Sequence, residues 1–183
     1  MKASVFAVAC LATGVLLAGC SSTPSSKDDS AFAYLLDRPT NWVENKVDEL
    51  PPLPQQANLL PFDVSQNTPL HFFLDSKSVS VGSDGVVRYT VVITTPTGAR
   101  NVNYEGIRCD TYEWRLYAGL DADHNGWDRP VANAFSRIEN GELNDYHAAL
   151  YQDYFCANKI PLANAKRIVE NVQFHRTQST LIR

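Results

Sequence analysis

Two clusters in this chain have the residue types and spacing for ligand chemistry. Asp121, Asp123, Asn125 and Gly126 match the opening of a twelve-residue calcium loop, in which alternate oxygens converge on one cation. The twelfth position falls on Ala132, where a bidentate glutamate belongs, and Pro130 interrupts the loop. The expectation is therefore a polar loop closing on an Asn125-Gly126 turn, with no metal and no cofactor. The second cluster is Arg88, Tyr104, Glu105 and Arg108. Guanidinium forks recognise carboxylates or phosphates bidentately, and an adjacent aromatic ring adds stacking, so these four form a candidate binding site for an anionic ligand. The plainer alternative is an internal Glu105–arginine salt bridge stapling neighbouring strands. An enzyme would use Glu105 or Asp110 as acid or base. No G-x-S-x-G, H-E-x-x-H or paired His/Cys metal spacing occurs. His71, His124, His147 and His175 are scattered through different elements and read as surface residues.

These side chains need a sheet to hold them. Val87, Tyr89, Val91 and Ile93 alternate with Arg88, Thr90 and Thr94, the period of a half-buried strand, between Gly82-Ser83-Asp84-Gly85 and Pro96-Thr97-Gly98 turns. With the segments around it, the stretch from Val79 to Tyr117 reads as three antiparallel strands, and Leu70–Leu74 as an edge or first strand. Val102 and Tyr104 are apolar at even positions, Ile107 and Cys109 at odd ones. A glycine at the change, Gly106, predicts a bulge or bend there. Further on, Pro130–Asn140, Glu142–Phe155 and Asn164–Gln173 read as helices, the second ending on Cys156. The expected fold is α+β: a bent antiparallel sheet of four or five strands packed by two or three C-terminal helices.

The N-terminus says where the protein resides. Lys2 precedes an apolar run, Val5–Ala18, too short to span a bilayer but of signal-peptide length. Leu17-Ala18-Gly19-Cys20 then resembles the lipobox of bacterial lipoproteins, which implies a lipid-modified Cys20 and cleavage before it; an ordinary secretory signal is the alternative. Ser21, rather than aspartate, follows the cysteine. By resemblance this implies the outer membrane, with the protein facing the periplasm. The expected organisation is a signal peptide at 1–19, a flexible tether at 20–39, one globular domain at 40–176 and a frayed tail at 177–183. The domain opens on a proline-rich lead-in, expected to be extended and to drape Trp42, Leu59, Leu60 and Phe62 over the core; a proline-recognition ligand is the other reading.

Of four cysteines, Cys10 leaves with the signal and Cys20 carries lipid. Cys109 and Cys156 remain in an oxidising compartment, where a disulfide is the default; a catalytic or metal-binding thiol pair is the alternative, without a C-x-x-C to support it. Loss of Lys2 leaves 15 Lys+Arg against 20 Asp+Glu, a net charge of −5. No basic stripe or run marks a nucleic-acid surface.

DGVVRYTVV (84–92), GARNVNYEGIRCDT (98–111) and YFC (154–156), after a Trp42-x-Glu44 start and a run of prolines, resemble the cryptic neisserial protein 1-like family of bacterial lipoproteins. The resemblance covers roughly residues 40–175. It implies one domain, a cell-envelope location and the Cys109–Cys156 pairing, and carries no activity with it. The functional expectation is a lipid-anchored binding or scaffold module on the periplasmic side of the outer membrane, with an envelope protein or anionic ligand as partner. The other class is a hydrolase or transferase acting on an envelope polymer or lipid.

Overall fold

The structure is a computed structural model describing residues 41–64, 67–130, 133–139 and 145–181. The expected signal peptide, tether and lipidated Cys20 lie outside the described residues.

A meander of antiparallel strands dominates. In chain order these are β1 (Leu59–Phe62), β2 (His71–Asp75), β3 (Ser80–Val81), β4 (Val86–Thr94), β5 (Arg100–Arg108), β6 (Glu113–Leu120), β7 (Trp127–Asp128) and β8 (Ser136–Arg137). They form one eight-stranded open sheet in the order β1-β2-β4-β5-β6-β7, with β3 against the start of β4 and β8 against the start of β6. The strand number exceeds the four or five that periodicity suggests. The surplus consists of two- to four-residue strands, too short to show alternation. Pro61 sits in β1, the first strand of the order, where its missing N–H leaves no central ladder position empty. A separate hairpin, β9 (Cys156–Ala157) with β10 (Ile160–Pro161), turns through Asn158 and Lys159, both at positive φ as a two-residue primed turn requires.

Three helical segments follow the sheet. α1 (Tyr146–Ala149) is capped by the Asp145 carboxylate and continues as a wider π-helical turn over Leu150–Phe155. α2 (Ala165–Gln173) is capped by the Asn164 side chain, and α3 is a single turn over Gln178–Leu181. The helix expected from Pro130 onward does not form in the described residues 133–139, where Ser136–Arg137 is a strand. Phe135 and Ile138 explain why. Phe135 packs edge-on against Trp42 while Ile138 enters the helix-side core, and extended chain sends residues to both sides where one helical stripe would not.

Both faces of the sheet are covered, and β4 is buried on both. Val87, Tyr89, Val91, Ile107 and Cys109 meet Leu150, Tyr154, Phe155, Ile168 and Val172 of the helices. On the opposite face Tyr104, Tyr117 and Ala118 pack under Val47, Leu50 and Trp127. The covering here is the lead-in Trp42–Pro54, a strap without regular secondary structure. Two buried faces account for the change of apolar phase in β5. Strand β5 keeps unbroken register with β4 through Gly106, so the strand does not slip there. The register shift lies across β5 and β6 beside Tyr104 and Glu105, and the extra residue is Tyr117 on β6. Gly106 is required for a different reason. A Cβ there would lie 2.7 Å from the Tyr117 ring and 2.9 Å from Val86.

Cys109 at the end of β5 and Cys156 at the end of the π-helical turn are joined in a disulfide, which ties the helical layer to the centre of the sheet. Closing that loop of 47 residues contributes about 4 kcal/mol on a chain-entropy basis.

Candidate functional site

Glu105 lies in β5 in the same phase as Ile107 and Cys109, so the pleat turns it toward the helices, where it is 0 % exposed. Four side chains meet its carboxylate. The Tyr146 hydroxyl and Asn103 Nδ2 donate to Oε1 at 2.7 and 3.0 Å. The Tyr89 hydroxyl donates to Oε2 at 2.9 Å, and His147 Nε2 lies 2.9 Å from the same oxygen. Four partners fill the acceptor capacity of an ionised carboxylate, which is the condition for keeping a charge away from water. The His147 ring is held between Trp114, stacked at 3.9 Å, and Tyr146 at 4.0 Å. Burial, then the Glu105 charge, pushes the Tyr89 and Tyr146 hydroxyls well above the ordinary tyrosine range, so both remain donors. This arrangement occupies the carboxyl group on every side and orients an imidazole. It leaves Glu105 with no open lone pair for substrate.

The sequence pointed to Glu105 and missed its partners. Tyr146 and His147 lie within the helix expected over Glu142–Phe155, where Tyr146, Leu150 and Tyr154 recur every fourth residue. His147, expected at the surface, is 9 % exposed. A glutamate in apolar phase is itself the signal that donors must converge on it.

The other three residues of the expected cluster face the strap. Glu105 is therefore not brought together with Arg88, Tyr104 or Arg108, and no Glu105–arginine bridge forms. Arg88 is 5 % exposed and donates to both carboxylate oxygens of Asp84, at 3.2 and 2.6 Å. Tyr104 packs on Tyr117 and Trp127. Arg108 forms a bidentate pair with Asp110, at 2.6 and 2.8 Å, and its guanidinium stacks 3.7 Å over Trp42.

Sequence reasoning also missed Glu44. Its Oε2 accepts from Arg115 Nη1 at 2.5 Å and its Oε1 from the Tyr117 hydroxyl at 2.6 Å, with Arg88 Nη2 3.7 Å away. Side chains also grip the strap backbone. Arg88 donates to the Asn45 carbonyl, Arg129 to those of Val47 and Asp48, and Trp127 Nε1 to that of Pro51. At the strap's start, Trp42 Nε1 donates to the Asp84 carbonyl and the Asn45 N–H to the Asp84 carboxylate.

Two shallow openings flank these clusters. One, of about 330 Å³, is lined by Arg100, Asn101, Asn103, Gly119 and His124. The other, of about 320 Å³, lies beside Glu44 and is lined by Lys46, Arg115, Tyr117 and Arg129. The Asp121 loop is closed by its own bonds: Asp121 Oδ1 accepts from the Asn125 N–H at 2.9 Å, and Asp121 N–H donates to the Gly126 carbonyl at 3.0 Å. Among the described residues no group of three His, Cys, Asp or Glu side chains is placed to hold a metal ion, and no helix is long and apolar enough to cross a membrane.

An antiparallel sheet strapped on one face and stapled to short helices on the other defines a sheet-dominated fold with few, short helices. Residues 37–173 match the CNP1-like family, and the chain belongs to that family. Comparison with curated proteins and with solved structures finds no match.

Proposed function

We propose that this protein is a lipid-anchored binding or scaffold module of the cell envelope, on the periplasmic side of the outer membrane. The observation that carries the reading is the way charge is distributed. The most deeply buried carboxylate among the described residues, Glu105, is saturated by protein partners, whereas the solvent-open grooves carry Lys46, Arg115 and Arg129 on one side and Arg100 and His124 on the other. Open, polar, cation-lined surfaces suit recognition of an anionic or acidic partner more than they suit chemistry that must exclude water. The Leu17–Cys20 lipobox resemblance supports the anchor, and Ser21 supports the outer membrane. A hydrolase or transferase is less well supported, because Asp110 is clamped by Arg108 and Glu105 is sealed.

The test is made in the native envelope. A photoreactive residue at Lys46 or His124 should capture a discrete partner from the membrane-bound protein. Cys20→Ser should move the protein to the soluble fraction and abolish capture. Absence of any adduct from both positions would contradict the reading.

A further inference from the structure

Resting on the binding-module reading, we propose that the sheet face beneath the strap is a binding site for an extended acidic segment of a partner protein, and that the strap is its resident ligand in cis. The strap is bound as a foreign peptide would be. No backbone–backbone hydrogen bond joins Trp42–Pro54 to the sheet among the described residues. Besides the packing of Val47 and Leu50 on the Tyr104–Tyr117 cluster, the hold comes from side chains reading a carboxylate and a series of carbonyls: Arg115 and Tyr117 on Glu44, Arg88 on Asn45, Arg129 on Val47 and Asp48, and Trp127 on Pro51. Such contacts specify an extended chain carrying a carboxylate, with apolar side chains at the positions of Val47 and Leu50. Val43, between the two anchoring residues Trp42 and Glu44, is 79 % exposed.

Two further observations point to a ligand beyond the strap itself. The opening of about 320 Å³ beside Glu44 holds three cationic side chains, of which Arg115 pairs with Glu44 and Lys46 with Asp48, while Arg129 is met only by backbone carbonyls of the strap among the contacts described. On the same face, Arg88 Nε and Thr90 Oγ1 are buried without a hydrogen-bond partner among the described residues, so the strap does not use all the polar capacity of the face it covers. A partner segment with additional acidic or polar groups would exchange for the strap by taking over the Arg115–Tyr117 carboxylate seat.

The full chain is titrated with a synthetic peptide of residues 41–54, and with the same peptide carrying glutamine at the position of Glu44. In the wild-type chain the tethered strap competes at an effective concentration of about millimolar, so the peptide binds weakly. Glu44→Gln removes the charge from the resident strap alone. The glutamate peptide should then bind at least tenfold more tightly than to wild type, and at least tenfold more tightly than the glutamine peptide. Trp42→Ala combined with Glu44→Gln removes both strap anchors, and hydrogen exchange at residues 42–50 reports the opening. If that opened chain binds neither peptide, or binds both equally, the proposal is overturned. Envelope capture from Lys46 without peptide binding would remove this site while keeping the binding module. Peptide binding without capture would support the site and count against the envelope reading.

Discussion

Glu105 shows how much one side chain can require of a fold. Its four partners come from β4, β5 and α1, so the carboxylate fixes where the helical layer sits on the sheet. Removing it leaves two tyrosines, an asparagine and a histidine turned toward a cavity. Glu105→Ala should cost about 3–5 kcal/mol, seen as a lower urea midpoint; a shift under about 1 kcal/mol would mean the network is dispensable. Asp84 acts on the other face and through pH. Burial pushes its carboxyl up, but the Arg88 guanidinium and the Asn45 and Val86 N–H groups outweigh burial and hold it below the usual carboxylate range. A depressed folded value means that the unfolded chain binds more protons in acid. Its stabilising contribution is therefore present above about pH 4 and lost as pH falls through the folded value. Between pH 5 and pH 2 the stability of Asp84→Asn should fall less steeply than that of wild type in chemical denaturation. Equal slopes would show that Asp84 is not the acid-sensitive latch. Glu105 and Arg88 were visible in the sequence as chemistry-bearing residues. Tyr146 and His147 were not visible as partners of Glu105, because a hydrogen bond between residues 41 or more positions apart leaves no local pattern.

At the scale of elements, the long strands β4, β5 and β6 were legible because each is nine or eight residues of β-rich sequence between turn signals. The helix from Asn164 was legible through its Ile168/Val172 spacing, and the structure adds the Asn164 cap. Residues 133–139 misled, since Ala134 and Ile138 have helical spacing while Phe135 and Ile138 serve opposite sides of a sheet edge. Gly106 was noticed for the right residue and the wrong cause. Both faces of β5 are buried, so apolar residues occupy both phases without any slip. The glycine is needed because the bulged Tyr117 lays its ring against the β5 backbone. Gly106→Ala should cost about 1–3 kcal/mol through overpacking. Tyr117→Ala made in addition should recover much of the loss specific to that clash. Additive losses in a double-mutant cycle would contradict the close approach as the reason for the glycine.

At the scale of the whole molecule, one face of the sheet carries the helical core and the other an apolar cluster with polar side-chain contacts to the strap. The helical face combines an apolar core, a saturated carboxylate and the Cys109–Cys156 disulfide. The strap face depends on arginines gripping an acidic segment, interactions that loosen with acid and with salt. On the proposed reading, recognition belongs to the strap face. Paired photocrosslinking in the native envelope tests this most directly, with probes replacing Lys46 on the strap and Lys166 on the exposed side of α2. The expected result is a discrete adduct from Lys46 that weakens at high salt, with none from Lys166. An adduct from Lys166 alone, or none from either position, would contradict it.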